Sequence, residues 1–454
     1  MKAEVVYFKY DKISPIKLDK LNLVKKNSYI LHLLSSYAQM SISIVIPLLL
    51  MPYMLLKLGS EIYGLWILLS SVIAYFSLSN FGFNTTLLKE LSQAGKEEYY
   101  NRYINTTLVF FLCISLLVFF IFLLLVLNID NLFLIDVKIK NIAQITFAIL
   151  YFVFLVNFLF GIFGTLLFSK GLLHIKNYIS IIQSIFISFF TFFVLFKGYS
   201  IVAISLVNLL FSMIFSLVVL YYAKKHINFE ISASHFDIHI LKDMIRPSFH
   251  YFLISISVIV VFYTDNIIIS SFIGLSSVAI YSLGYKLVDV SQRILFKLVD
   301  IIVPDIALLY GEKNYRNILE LHNKVMFYTL LLALFGYAFL FFFGIDILNI
   351  WIGKKYSLDE TIFRVFIFFA FSHTWVHVSG MFIAAMGIHK KNAYMSLVEA
   401  FLNIVLSLIL LKYYGLLGVA LGTLFAGLLT SSWFVPYWFY KHIYQKINEE
   451  YVNG

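Results

Sequence analysis

The sequence predicts an all-α polytopic membrane protein, and its composition and its hydrophobic patterning both support that fold class. Of the 454 residues, 61% are hydrophobic and only 13% are charged. The mean hydropathy of +0.90 is too apolar for the surface of a soluble domain of this length. Apolar windows recur along the whole chain, and each is long enough for a helix to cross about 30 Å of hydrocarbon.

Apolar runs between charged or Gly- and Pro-marked breaks predict twelve spans. They cover residues 30–56, 61–83, 103–127, 141–169, 172–196, 200–222, 247–271, 276–305, 317–345, 360–386, 391–411 and 416–439. The first span contains two prolines, Pro47 and Pro52, and the eighth is unusually polar. These two are therefore the least regular of the predicted spans.

An internal repeat divides the spans into two halves. The motif HIKN at 174–177 returns as HKKN at 389–392, and Gly59 matches Gly274 at the same offset. Six spans per half give both halves one orientation, which predicts two six-helix bundles related by a pseudo-two-fold axis along the membrane normal. The expected organisation is a cytoplasmic N-terminal segment (1–29), an N-terminal bundle (30–223), a cytoplasmic linker (224–246), a C-terminal bundle (247–440) and a cytoplasmic tail (441–454).

The distribution of basic residues predicts the orientation of the chain. Alternate predicted links hold 23 of the 34 Lys and Arg residues, whereas the links on the opposite side hold 7. Because cytoplasmic links are enriched in Lys and Arg, both termini are expected in the cytoplasm. The same rule explains the formal charge of +10, so no nucleic-acid partner is expected.

Several classes of chemistry find no support in the sequence. The single cysteine, Cys113, excludes an intrachain disulfide and a Cys-based zinc site, and its apolar surroundings predict a small buried side chain. There is no Walker A motif, no Gly-rich dinucleotide turn and no nucleophile elbow. We therefore expect a protein that is not an enzyme and that needs no cofactor or metal.

The segment YKLVDVSQRILFKLVD (285–300) concentrates ionisable residues within the eighth span. At 100° per residue, all five fall within an arc of about 80° on one helix face. They are Lys286, Asp289, Arg293, Lys297 and Asp300. The spacing allows Asp289–Arg293 and Lys297–Asp300 ion pairs. One interpretation is a helix end that lies in the cytoplasm or carries structural ion pairs. The other is a polar stripe that lines a cavity and suits an anionic group.

Four further polar residues are candidates for a cavity or for ion coupling. Asp265 is a lone carboxylate in the seventh span, and Glu399 lies about eight residues inside the eleventh. Either could face a cavity, and Asp265 could equally lie at a helix end near the surface. Asn80 and Asn84 at the end of the second span could contact headgroups or sugar, or cap the helix.

Two histidines in the tenth span stand at a spacing that can bind zinc. They are His373 and His377, in the sequence HTWVH. No third ligand is evident, so packing or cavity lining is the better interpretation of both side chains.

Three stretches of the chain resemble a known transporter family. They are LGSEIYGLWILLSSVIAYFSLSNFGFNTTLLKELS (58–92), DNIIISSFIGLSSVAIYSLGYKL (265–287) and HKKNAYMSLVEAFLNIVLSLILLKYYGLLGVALGT (389–423). They are similar to the polysaccharide-biosynthesis transporters of the multidrug/oligosaccharidyl-lipid/polysaccharide (MOP) superfamily, in particular the Wzx-type O-antigen flippases. The resemblance covers nearly the whole chain and identifies the transporter class better than it identifies the sugar.

This resemblance implies a specific function in the bacterial inner membrane. A family member would move a polyprenyl-diphosphate-linked oligosaccharide, an O-antigen or related surface polysaccharide unit, from the cytoplasmic to the periplasmic leaflet by alternating access. Related lipid II flippases hold the diphosphate with cavity cations, and Lys286, Arg293 and Lys297 match that chemistry. The first two spans contain no interior Lys or Arg, which weighs against lipid II as the substrate.

The resemblance also defines the expected partners and the alternatives. The partners are the lipid-linked substrate, the bilayer, a polysaccharide polymerase and a chain-length regulator. A multidrug exporter of the same superfamily would share the architecture but would need an acidic cavity for organic cations. A membrane polysaccharide polymerase would need a larger loop than this sequence has.

Overall fold

A computed structural model describes residues 15–93 and 97–453, and these residues form helices with no β-strand among them. The helices are α1 (Pro15–Phe76), α2 (Phe83–Gln93), α3 (Glu97–Leu127), α4 (Ile129–Leu132), α5 (Val137–Ser169), α6 (Leu173–Phe196), α7 (Ile201–His226), α8 (Ile238–Phe272), α9 (Leu275–Asp300), α10 (Val303–Gly311), α11 (Tyr315–Ile352), α12 (Glu360–Ala385), α13 (Lys390–Tyr414), α14 (Leu416–Leu429) and α15 (Ser431–Asn453). Residues 1–14 of the predicted N-terminal segment and residue 454 of the predicted tail lie outside the described residues.

The helices account for the predicted spans and confirm the all-α membrane fold class. In the described part of the chain, ten helical stretches are long and apolar enough to cross a membrane. The first of them, Leu34–Asn80, contains two predicted spans, which Gly59 separates by leaving the helical conformation. The polar α9 is absent from the ten, although it contains most of the predicted eighth span.

Three details differ from the sequence-based prediction. The eighth span was expected to reach residue 305, but α9 ends at Asp300 and α10 follows, with a proline in its first turn where the missing N–H is tolerated. The last predicted span is interrupted at Thr430, between α14 and α15. Cys113 is exposed, so the prediction of a buried thiol was wrong, because the apolar face of α3 on which it lies is not covered by other helices.

The repeat identified in the sequence has a clear structural counterpart in its glycines. Gly59 has φ of 76° and precedes the α1 segment 60–76, and Gly274 has φ of 130° and precedes α9. Only glycine adopts such positive φ angles without steric cost. Each half therefore enters its second membrane helix through a glycine turn.

The two helices that follow these glycines contact each other at that end. The Ser60 hydroxyl donates a hydrogen bond to the Ser276 hydroxyl at 3.1 Å. Gly64 has no room for a Cβ atom, which would overlap the carbonyl oxygen of Leu275. Small residues allow helix backbones to approach closely in membranes. The contact brings the α1 segment 60–76 alongside α9.

The repeated four-residue motifs also make similar contacts in the two halves. His174 packs against His32 of α1, with ring centroids 5.2 Å apart. His389 packs against Tyr251 of α8, with ring centroids 6.4 Å apart. In both halves, the histidine of the motif therefore packs against a ring on the first helix of that half.

A hydrogen bond from α11 satisfies a carbonyl group that a proline in α1 leaves without a donor. Pro52 has no N–H, so the carbonyl oxygen of Leu48 loses its helical partner. The Trp351 indole N–H donates to this oxygen at 2.9 Å. The α1 segment before Gly59 is thus tied to a helix of the C-terminal half.

Candidate functional site

A cavity of about 560 Å³ lies between α1, α8, α9, α12 and α14. This volume is within the range of pockets that hold small-molecule ligands. Two of these helices, which occupy equivalent positions in the repeat, give the cavity two different sides. The side from α9 carries charged residues, whereas the side from the α1 segment 60–76 carries aromatic and hydroxyl groups and no ionised side chain.

We call Lys286, Asp289 and Arg293 of α9 the charged wall. The buried Asp289 carboxylate accepts hydrogen bonds from Lys286 Nζ at 2.9 Å and from Arg293 Nε at 2.8 Å. Because these residues follow one another at i, i+3 and i+7, a single helix face presents them together. Two cations share one carboxylate, so the wall keeps a net positive charge.

Arg293 is the more accessible cation of the charged wall. Its side chain is 54% exposed, against 25% for Lys286. Only its Nε atom is engaged by Asp289, and the terminal nitrogens have no partner among the described residues. A guanidinium whose two terminal NH₂ groups are open can bind a phosphate or carboxylate group in a bidentate manner.

We call Tyr63, Trp66, Ser70 and Ser71 of α1 the uncharged wall. The Ser71 hydroxyl accepts a hydrogen bond from Asn266 Nδ2 at 3.0 Å, which ties this wall to α8. The Asn266 oxygen in turn accepts from the Ser282 hydroxyl of α9 at 2.7 Å. One asparagine side chain therefore links α1, α8 and α9 at the side of the cavity.

Asp265 also lines the cavity and is held by groups from two other helices. Its Oδ2 atom accepts hydrogen bonds from the Tyr281 hydroxyl at 2.6 Å and from the Thr423 hydroxyl at 2.9 Å. Asn403 Nδ2 donates to the Thr423 oxygen at 2.8 Å. The Oδ1 atom of Asp265 is buried and has no hydrogen-bond partner among the described residues. The carboxylate therefore has one enclosed oxygen that receives no hydrogen bond from the described part of the chain.

Lys297 and Asp300 share the helix face of the charged wall but do not line the cavity. Lys297 Nζ lies 3.4 Å from Asp300 and 5.8 Å from the centre of the Tyr37 ring of α1. The other oxygen of Asp300 lies 3.1 Å from His377 Nε2. The predicted polar stripe is thus divided, and its last two members form an ion cluster beyond the cavity.

Glu399 lies away from the cavity, in a buried polar contact. Its Oε1 atom is 3.3 Å from His373 Nε2, and its other oxygen accepts a short hydrogen bond from the Ser431 hydroxyl. His373 and His377 therefore face different carboxylates and not one shared ion. In the described part of the chain, no group of three or more His, Cys, Asp or Glu residues is placed to hold a metal.

Asn80 and Asn84 do not line the cavity either. The Asn80 side-chain oxygen accepts a hydrogen bond from the Gly82 N–H at 2.7 Å, which stabilises the turn before α2. The Asn84 oxygen is buried without a partner within the described ranges. The first asparagine has a local structural role, and the second remains an unexplained buried polar group.

Sequence reasoning did not single out several residues of the site. Tyr63, Trp66 and Ser70 recur at helical spacing on one face, so their common orientation could have been recognised in the sequence. Thr423 and Asn403 carry no such signal, since Thr423 reaches Asp265 from a helix more than a hundred residues away and Asn403 donates to Thr423. Only tertiary packing reveals that contact.

Comparison with known proteins identifies the family. The sequence model of the family described as polysaccharide biosynthesis protein matches residues 28–309, more than half of the chain. The chain belongs to this family. The chain is also 23% identical over 194 residues to an uncharacterized membrane protein of Methanocaldococcus jannaschii. That alignment spans 42% of this chain and 38% of the archaeal protein.

Solved structures show that the chain shares its fold with transporters of the MOP superfamily. A multidrug resistance MATE family transporter in an inward-facing conformation matches with a TM-score of 0.72 and 15% identity, over 91% of this chain and 99% of that one. The lipid II flippase MurJ in an inward closed conformation matches with a TM-score of 0.72 and 17% identity, over 93% and 92%.

A third matched structure is a MOP-superfamily transporter from Pyrococcus furiosus, with a TM-score of 0.64 and 15% identity over 93% of this chain and 96% of that one. It is described as having a binding pocket of reverse polarity that suggests a different function. The matched structures are those of transporters and a flippase, and their fold agrees with the architecture expected from the sequence.

Proposed function

We propose that this protein is a flippase that moves a polyprenyl-diphosphate-linked oligosaccharide from the cytoplasmic to the periplasmic leaflet of a bacterial inner membrane. The observation that carries the proposal is the charged wall. Two cations around one carboxylate line a cavity in a chain that is otherwise strongly apolar. Charges at such depth are costly unless they face a polar cavity or each other, so a net positive wall favours an anionic ligand.

The substrate would use the two environments of the protein separately. The prenyl tail would stay in the lipid, while the diphosphate enters the cavity and binds the open N–H groups of Arg293 and the ammonium of Lys286. Lys297 is less suited to this contact, because it lies beyond the cavity beside Asp300. Its expected role is at the entrance to the charged wall.

Translocation would follow from relative movement of the two halves, residues 30–223 and 247–440. Both halves line the cavity, so rocking one half against the other would expose the cavity to alternate sides of the membrane. With both termini in the cytoplasm, a polysaccharide polymerase and a chain-length regulator would act on the exported units at the opposite face.

Asp265 is the favoured coupling residue in this proposal. It lies in the cavity lining and has one enclosed oxygen that receives no hydrogen bond from the described residues, whereas Glu399 lies outside the cavity in contact with His373 and Ser431. Protonation or sodium binding at Asp265 would alter its bonds to α9 and α14. The two ions can be separated by measuring transport in a sodium gradient and in a proton gradient.

A second candidate function is the export of organic cations, which Asp265 favours because it places a carboxylate in the cavity. The charged wall argues against it, since Lys286 and Arg293 outnumber Asp289 on α9. Asp265 itself is buried and hydrogen-bonded to Tyr281 and Thr423. If replacing Asp265 abolished transport while replacing Arg293 had no effect on it, that result would support this alternative.

The proposed function is tested by replacing Arg293 with alanine. We expect Arg293→Ala to abolish export of the lipid-linked glycan in a complementation assay while the protein level is unchanged. Arg364→Ala is the matched control, because that arginine pairs with Glu360 and does not line the cavity. Normal export by Arg293→Ala would refute the diphosphate site.

A further inference from the structure

The uncharged wall contains two hydrogen-bond donors that the protein itself does not use. The Tyr63 hydroxyl and the Trp66 indole N–H line the cavity and have no hydrogen-bond partner among the described residues. Neither group is among the fully enclosed polar atoms of that part of the chain. Trp66 is partly buried, whereas Tyr63 is only 3% exposed, so the Trp66 N–H is the donor more open to a ligand in the cavity.

The Trp66 ring is partly buried against the apolar core and also lines the cavity. It forms no pair with another aromatic ring in the parts of the chain that the structure describes, in contrast to the many ring pairs elsewhere in the molecule. Tyr63, Trp66 and Ser70 stand at i, i+3 and i+7, so one face of α1 presents them together. That face lines the same cavity as the charged wall of α9.

The chemistry of this face excludes two other kinds of contact. Beyond Glu61, the α1 segment contains no Asp, Glu, Lys or Arg, so it offers no charge to a second phosphate or to a cation. A hydrocarbon tail would leave both donors unpaired, and an unsatisfied donor in an apolar setting is costly. The ligand that fits has an apolar face and a rim of hydroxyl acceptors.

A pyranose ring has both properties, because its C–H groups form an apolar face and its hydroxyls surround that face. An indole attracts positively polarised C–H groups through the negative face of its ring, and its N–H can donate to a hydroxyl. We infer that Trp66 and Tyr63 form a sugar subsite, which holds the first ring of the glycan while the charged wall holds the diphosphate. This inference depends on the proposed function only for the contact between the diphosphate and the charged wall.

The subsite would recognise a ring more than a particular sugar. Stacking depends on the C–H face, which many pyranoses share, and Tyr63 and Trp66 supply only two donors. The cavity would therefore favour glycosylated over bare lipid diphosphates and tolerate different sugars. A common sugar can consequently serve as the probe.

The test compares two lipids with the purified full chain in phosphatidylcholine nanodiscs. One probe is undecaprenyl diphosphate, and the other is the same lipid carrying one N-acetylglucosamine. We expect Trp66→Ala to weaken binding of the glycosylated lipid about tenfold and to leave binding of the bare lipid unchanged. Trp66→Phe keeps a ring but lacks the N–H, so we expect a smaller loss of affinity, again confined to the glycosylated lipid.

Trp375→Ala is the matched control, since Trp375 is a partly exposed tryptophan that does not line the cavity. Equal weakening of both lipids by Trp66→Ala, or no change in either, would overturn the sugar subsite. If Trp66→Ala does not fold, the same two outcomes with Trp66→Phe overturn it.

A third probe separates this inference from the proposed function. Free chitobiose carries the sugar rings without a diphosphate, and we expect the wild-type protein to bind it weakly and Trp66→Ala not to bind it. Arg293→Gln should weaken both lipids and spare chitobiose. If Arg293→Gln leaves both lipids unaffected, the diphosphate site fails, while loss of chitobiose binding in Trp66→Ala would still support the sugar subsite.

Discussion

The α1 segment 60–76 and α9 occupy equivalent places in the two halves but differ sharply in chemistry. Each follows a glycine with positive φ, and the two helices touch at Ser60 and Ser276. Yet α9 presents three ionised side chains to the cavity, and the α1 segment presents none. The internal repeat thus accounts for the equivalent positions of these two helices, whereas their different side chains determine what each can bind.

The largest expected effect comes from separating these two helices. Gly64→Leu would place a side chain where the backbone of Leu275 already lies. We expect a loss of about 3 kcal/mol, at the upper end of typical overpacking costs, and a clear fall in the detergent melting temperature. Gly336→Leu is the control, because nothing lies within 4 Å of a Cβ atom at that position. Equal melting temperatures for the two variants would contradict the close helix contact.

A second prediction ranks the cations of α9. Arg293→Gln and Lys286→Gln should each weaken inorganic pyrophosphate binding by about tenfold, because both cations line the cavity. Lys297→Gln should change it by less than about twofold, since that lysine is outside the cavity and paired with Asp300. Titration of the purified protein with pyrophosphate measures all three, and a larger loss for Lys297→Gln would reverse the assignment.

A third, smaller effect concerns the tie between the α1 segment before Gly59 and the other half. Trp351→Phe removes the donor that Leu48 uses, and we expect a cost of about 1 kcal/mol in unfolding free energy. In a Pro52→Ala background, residue 52 regains its N–H and can donate to Leu48 itself. The cost of Trp351→Phe should therefore be smaller in that background, and a double-mutant cycle measures the difference. Identical costs in both backgrounds would disprove the coupling.

The smallest effect is expected at an ion pair outside the membrane spans, which serves as a reference for the charged wall. Lys140 donates to Asp130 at 2.6 Å, and this hydrogen bond holds the pKa of the Asp130 carboxyl below its usual value. Because the folded-state pKa is the lower one, the contribution is present above the unfolded-state pKa and is lost as the pH falls through the folded-state pKa.

Lys140→Gln should accordingly leave the melting temperature almost unchanged at pH 7, since solvent still screens this partly exposed pair. Any small difference from the wild type should disappear in acid. A large difference at neutral pH, or one that grows as the pH falls, would show that this loop pair is not a screened surface contact.

Much of the fold followed from the sequence because membrane helices obey strong local rules. The apolar runs predicted the spans, and the match between Gly59 and Gly274 identified two turns with positive φ. The break at Thr430 was missed because Thr430, Ser431 and Ser432 are uncharged and do not end an apolar run, and the exposure of Cys113 was missed because hydropathy does not distinguish a lipid-facing position from a buried one.

The candidate site was partly predictable for the same reason. Helical periodicity placed all five ionisable residues of α9 on one face, and it correctly allowed the Asp289–Arg293 and Lys297–Asp300 pairs. Periodicity could not tell how far along the helix the cavity extends. That limit depends on α1, α12 and α14, which come from distant parts of the chain.

The position of Asp289 between Lys286 and Arg293 has a consequence for turnover. An anion that enters the cavity does not meet bare cations, because a resident carboxylate already occupies part of their hydrogen-bonding capacity. Its affinity is therefore the difference between two sets of contacts, and Asp289 can reclaim both cations when the anion departs. A carrier must release what it captures, and an internal counterion lowers the barrier to that release.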